Sequence, residues 1–142
     1  MRTPSLSSHY FHVKILLCAI AFVLAAPAQV ATLQIQVVDG EGAVHAAGSR
    51  SMRPLTVEVT DEAGRPVEHV AVSFLLPDSG PGGAFLGGLR TEVEMTDGRG
   101  RATIRGLQWN RISGRFQIRI VASREQARAG MVSFQYIGDS GR

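Results

Sequence analysis

The chain has 142 residues, 44% of them hydrophobic and 19% charged, with 16 glycines, one cysteine and a formal net charge of +3. That length holds one ordinary domain and is too short for a two-domain enzyme. The composition excludes a disordered, a collagenous or a disulfide-stapled chain.

The first segment in chain order reads as an address. Arg2 and Lys14 precede or open an apolar run from Ile15 to Ala26, and Ala26-Pro27-Ala28 closes it. A basic start, about a dozen apolar residues and a small-x-small site make a secretory signal peptide over residues 1–28, with cleavage expected between Ala28 and Gln29. The run falls short of the roughly 20 apolar residues that span a bilayer, so a retained anchor is the lesser alternative. Cys18 comes after Leu17 rather than the small residue of a lipoprotein site, and reads as filler of the apolar run. The expected destination is export: periplasm, cell surface or medium.

Residues 29–142 then hold 13 arginines, no lysine and no cysteine against 12 acids, a net +1. Disulfides, thiol catalysis and cysteine-based zinc sites are excluded for that portion. The basicity of the whole chain, which by itself would advertise an anionic partner, belongs largely to the leader.

From Leu33 onward the chain alternates with a period of two. Leu33, Ile35 and Val37 open the series, then Leu55, Val57 and Val59, then Val70, Val72 and Phe74. Val93 and Met95, Ala102 and Ile104, Phe116, Ile118 and Ile120, and finally Val132, Phe134 and Tyr136 complete it. Each run puts one face on a core and one in water, as half-buried antiparallel strands do. Asp61-Glu62-Ala63-Gly64-Arg65-Pro66 and Asp97-Gly98-Arg99-Gly100 between them are turns, and Asp97-Gly98 signals a hairpin. About seven short strands predict an all-β fold, an immunoglobulin-like two-sheet antiparallel sandwich forming a single domain over 29–142 with its core at 33–137. Asp78 to Gly88 is the one long loop, with Phe85 and Leu86 expected under the sandwich edge.

These residues carry a resemblance. Val38-Asp39-Gly40-Glu41-Gly42, Pro54-Leu55-Thr56-Val57-Glu58-Val59-Thr60-Asp61, Gly64-Arg65-Pro66-Val67, Thr96-Asp97-Gly98-Arg99-Gly100-Arg101-Ala102 and the strand from Gly114 to Ala122 occur in this order. The stretch from Leu33 to Ile137 resembles the bacterial immunoglobulin-like domain of group 1, the intimin/invasin type, in a single copy. The resemblance implies a β-sandwich of the cell envelope with a structural or adhesive role, no enzymatic activity and no cofactor.

Candidate chemistry is sparse. Gly138-Asp139-Ser140-Gly141 spells a serine-protease motif but ends beside the last residue, without the base and oxyanion hole a nucleophile needs. Gly80 to Gly88 lacks the Lys-Ser/Thr and the helix of a phosphate cradle. His45 and His69 stand 24 positions apart, too few ligands for a metal, and read as surface or turn residues. Asp61, Glu62 and Asp97 fit no calcium-loop spacing and serve as turn residues. Trp109, the only tryptophan, is a core or edge residue with an exposed contact as the sharper alternative.

Charge is more informative. Residues 29–98 sum to −6 and residues 99–128 to +7. By strand parity Arg101 pairs with Arg105, and Arg115 with Arg119, each pair off one face. This polarity has three physical accounts. Glu92 and Glu94 pair with Arg101 and its neighbours across the hairpin; the four arginines bind an anionic surface glycan or lipid head group; or acidic and basic halves of two copies meet in weak head-to-tail self-association. The primary functional expectation is an exported non-catalytic module that engages an envelope protein or forms part of the envelope. The alternative is a small accessory module for anionic carbohydrate or lipid. Nucleic acid is not expected as a partner.

Overall fold

The computed structural model describes residues 32–139. The expected cleavage site at Ala28 and Gln29, and Ser140, lie outside the described residues. In chain order the strands are β1 (Gln34–Asp39), β2 (Val44–Ala46), β3 (Arg50–Ser51), β4 (Leu55–Thr60), β5 (Ala71–Leu75), β6 (Gly83–Ala84), β7 (Thr91–Met95), β8 (Arg101–Ile104), β9 (Leu107–Trp109), β10 (Gly114–Arg124) and β11 (Ala127–Gly138). One 3-10 turn covers Leu86–Gly88. No helix among the described residues is long and apolar enough to cross a membrane.

All seven alternating runs form strands. The count among the described residues is nonetheless eleven rather than seven, because β2, β3, β6 and β9 are only two or three residues long. Segments that short cannot display an alternation. The long loop after β5 is likewise interrupted by β6 and the 3-10 turn. Phe85 is buried there as expected, whereas Leu86 points to solvent at 80% exposure.

The strands form sheets ordered β1-β4-β8, β2-β11-β10-β5-β7 and β3-β9-β6. The smallest sheet continues the first. Leu55 faces Ile104 in one and Ser51 faces Leu107 in the other, an antiparallel register slipped by one residue, and the Gly106 N–H bonds Ser51 O across the break at 3.0 Å. Val57, Val59 and Ile104 from this layer meet Val72, Phe74, Ile118 and Ile120 from the five-stranded sheet in one core. The sheets therefore pack as a β-sandwich does, on a shared apolar interior. One pairing is parallel: β2 lies beside β11 with Tyr136 opposite Val44.

Asp97-Gly98 does not close a hairpin within one sheet. β7 pairs with β5, and β8 pairs with β4, so the turn carries the chain from one layer to the other. Asp97 Oδ1 accepts the N–H groups of Arg99 and Arg101, as Asp61 Oδ1 accepts those of Ala63 and Arg65. These are two copies of one Asp-x-x-Gly-Arg turn. In both, the backbone donors hold the carboxyl below its ordinary range, Arg65 N–H contributing most at Asp61 and Arg101 N–H most at Asp97.

Two strands present the opposite face from the one their apolar residues predict. On β7, Val93 and Met95 are 55% and 54% exposed while Glu92 and Glu94 turn toward the core side. On β11, Ser133 and Gln135 are buried while Val132 and Tyr136 face out. The cause is register. β10 and β11 join through the two residues Glu125 and Gln126, with Arg124 opposite Ala127, so Arg119 faces Val132 and Ile118 faces Ser133. With Phe116, Ile118 and Ile120 committed to the core, the partners of the outward residues must also point out. On β7, the inward Val72 and Phe74 of β5 impose the same on Glu94 and Glu92. Inward charge on an edge strand also discourages pairing with another chain.

Glu125 carries the β10–β11 hairpin at φ 53°. Left-handed backbone costs a residue with a Cβ about 1–2 kcal/mol, part of which glycine's larger unfolded-state entropy takes back. Glu125→Gly is therefore expected to raise stability by about 0.5–1 kcal/mol, read as a higher urea midpoint at unchanged slope.

Burial, then the neighbouring Glu94 side chain, pushes the Glu92 carboxyl above its ordinary value. A carboxyl raised in the fold stabilises most below its unfolded value of 4.5 and loses that contribution as pH rises through the folded value. Glu92→Gln is expected to raise the Tm slightly at pH 7, the gain shrinking as pH falls below that range.

Candidate functional site

β10 alternates Phe116, Ile118 and Ile120 into the core with Arg115, Gln117 and Arg119 outward. Arg115 and Arg119 thus share the outer face of the five-stranded sheet. Arg101 does not join them: it lies on the outer face of the other layer, with the core between. Its guanidinium meets Glu58 at 3.3 Å, directly opposite on β4, and Gln36 reaches the same carboxylate. The cross-strand partner of Arg101 is therefore Glu58, not Glu92 or Glu94, which belong to a strand of the other sheet. Arg105 stands just past β8, at the break before β9. The four arginines do not form one face.

Arg115 and Arg119 instead line an open depression of about 780 Å³ at the end of β5, together with Arg90, Thr91, Gln117 and the turn Pro77-Asp78-Ser79. Arg90 is drawn in from the far side. Its Nη1 donates to Pro77 O at 3.0 Å and lies 3.7 Å from the Asp78 carboxylate. The Arg115 guanidinium sits 3.8 Å over the Phe134 ring, which fixes its plane on the sheet. Among the described residues no carboxylate lies within ion-pair distance of Arg115 or Arg119. Three guanidiniums against one carboxylate leave the depression cationic, with fork-shaped donors suited to carboxylate or phosphate oxygens. The part played by Arg90 carries no local sequence signal, since it stands well before Arg115 in the chain. Only the β7-β5-β10 order brings them together.

A second constellation is buried. His45 Nε2–H donates to Gln135 Oε1 at 2.8 Å, and Gln135 Nε2 donates to Gly40 O and Ser133 Oγ. Ser133 Oγ–H in turn donates to Glu41 at 2.6 Å, and the Phe134 N–H caps the other carboxylate oxygen. Burial, its largest cause, pulls the His45 pKa below the ordinary value and keeps the imidazole neutral. His45 is therefore an interior residue, not a surface one, while His69 is exposed in a turn at φ 60°. Ser133 has no exposed surface, and among the described residues its hydroxyl bonds Glu41 and Gln135 and no imidazole, so this chain of bonds ties the β1–β2 turn to β11.

Trp109 is 2% exposed and stacks on His45 at 4.1 Å between ring centres. It packs in the core and is not a surface contact. Asp61 and Asp97 are occupied by their own turns, and no group of three or more His, Cys, Asp or Glu among the described residues is placed to hold a metal ion.

No protein-family model matches this chain, and no curated protein matches it.

Proposed function

We infer that the protein is an exported, non-catalytic immunoglobulin-like module of the bacterial cell envelope, of the group 1 type, with a structural or adhesive role. The observation that carries the fold half of this reading is strand order. Of the seven long strands, the first, second and fifth share one layer, and the third, sixth and seventh share the other. Immunoglobulin domains divide strands A, B and E from C, F and G in the same way. The fourth long strand, β7, lies beside the third, at the edge of its layer. The envelope half rests on the leader-like first 28 residues.

Expression of the full chain with a C-terminal tag in a bacterial host tests it. A product beginning at Gln29, recovered from the envelope or the medium, is expected. An unprocessed product confined to the cytosol would remove the reading.

A second reading is favoured by the cationic depression: the module binds an anionic carbohydrate or lipid head group. Its contacts are Arg90, Arg115 and Arg119, without Arg101 on the opposite face.

A further inference from the structure

We propose that the outer face of the five-stranded sheet, from the Arg90–Arg119 depression across Arg115 to Tyr136, binds an extended carboxylated polysaccharide. This rests on reading the protein as an exported binding module, and names the ligand of its cationic depression.

The two outer faces of the sandwich differ in kind. The three-stranded face presents Gln34, Gln36, Thr56, Glu58, Arg101 and Thr103, a solvated surface. The five-stranded face presents Val132, Phe134, Tyr136, Val93 and Met95 beside its arginines. None of the outward positions on its five strands is a carboxylate. Apolar side chains stand outside here while Ser133, Gln135 and Glu92 turn inward, an arrangement that gives up hydrophobic burial unless the outer face is covered.

Spacing selects the occupant. The Arg115 and Arg119 backbones are four residues apart on one strand, about 13 Å, and the Arg115 guanidinium is held on the Phe134 ring, a spacing suited to successive carboxylates along a chain. Five strands span about 19 Å from edge to edge, a platform for a chain of several units. Gln117, Thr91 and Ser79 between the guanidiniums supply hydroxyl-bonding groups, and the half-exposed Tyr136 ring offers a surface for the apolar side of a sugar. The arginines line a recess in a sheet face and not a protruding loop, which fits a polymer lying in the recess better than the plane of a bilayer. A second copy brings its own arginines to a face-to-face contact, so like charges oppose that pairing.

The protein purified after expression of the full chain is titrated with polygalacturonate, with its fully methyl-esterified form, with poly-L-glutamate and with phosphatidylglycerol vesicles. Saturable, salt-sensitive binding to polygalacturonate is expected, with little to the ester, which keeps the rings and loses the charge. Arg119→Gln should weaken it about tenfold, and Arg115→Gln/Arg119→Gln about a hundredfold, while Arg101→Gln on the opposite face leaves it unchanged. Unchanged thermal melting certifies each variant as folded, and Arg119→Gln breaks no ion pair, so it serves if Arg115→Gln perturbs Phe134. Equal binding of the ester, indifference to Arg119→Gln, or preference for vesicles or poly-L-glutamate would overturn the proposal. A correctly processed, exported protein that binds no polygalacturonate would overturn it too, and leave the module reading standing.

Discussion

Gln135→Leu is expected to lower the stability of the fold by about 3 kcal/mol, the cost of leaving two or more buried polar groups unpaired. Leucine fills most of the volume, so the loss is electrostatic and not a cavity. Without Gln135, the His45 Nε2–H and Gly40 O lose their partners inside the sandwich. Ser133 Oγ loses a donor and remains bonded to Glu41. Urea unfolding of the variant and of His45→Phe/Gln135→Leu checks this: removing both partners of the His45–Gln135 bond should recover part of the loss, whereas two additive losses would refute the coupling. The acid limb carries a second signature. His45 is depressed below its unfolded value of 6.5, so its contribution is present above that value and is lost as pH falls through the folded one. Gln135 is the partner that favours the charged ring, so the variant should lose stability over a wider span of acid pH than the parent.

Gly100→Ala is expected to cost a similar amount, about 3 kcal/mol. Gly100 adopts φ 72° in the turn after Asp97, and a Cβ there would lie 2.5 Å from Val59 O and 3.0 Å from the Pro66 ring. Its carbonyl also accepts the Val59 N–H at 2.7 Å, which locks this turn against β4. The sister turn is an internal control. Gly64 has φ 75° and nothing within 4 Å of where a Cβ would stand. Gly64→Ala should therefore cost only the backbone strain, about 1 kcal/mol. Equal Tm losses for the two would show that the packing of the Asp97 turn against β4 contributes nothing.

The elements were legible wherever a strand's own alternation agreed with its neighbours'. β4, β5, β8 and β10 bury the residues their pattern assigns to the core: β4 faces β8, and β5 faces β10, with apolar residue opposite apolar residue in each pair. β7 and β11 were legible as strands but not in orientation: Val93, Met95, Val132 and Tyr136 are apolar or aromatic, yet the residues beside them face inward. The turns at Asp61 and Asp97 were legible from Asp and Gly, but whether a turn closes a hairpin or crosses between layers depends on strands far away in the chain. For the candidate site, Arg115 and Arg119 could be paired by parity. Their separation from Arg101 and their union with Arg90 could not be read, since no local pattern encodes which sheet a strand joins.

By itself the sequence determined an all-β chain with glycine- and aspartate-built turns and an excess of arginine in its later half, because period, φ requirement and charge are local properties. Which side of β7 and β11 is buried, and which arginines stand together, was decided only by the tertiary structure. Alternation says that a strand has two faces and never which one is inside. That choice passes from strand to strand through register: the two-residue loop at Glu125 and the committed core of β10 turn Val132 outward, and the His45–Gln135–Ser133–Glu41 bonds make the buried polar side tolerable. The arginine excess that the overall net charge conceals thereby places Arg115 and Arg119 beside Arg90 in one cationic recess on one face of the sandwich.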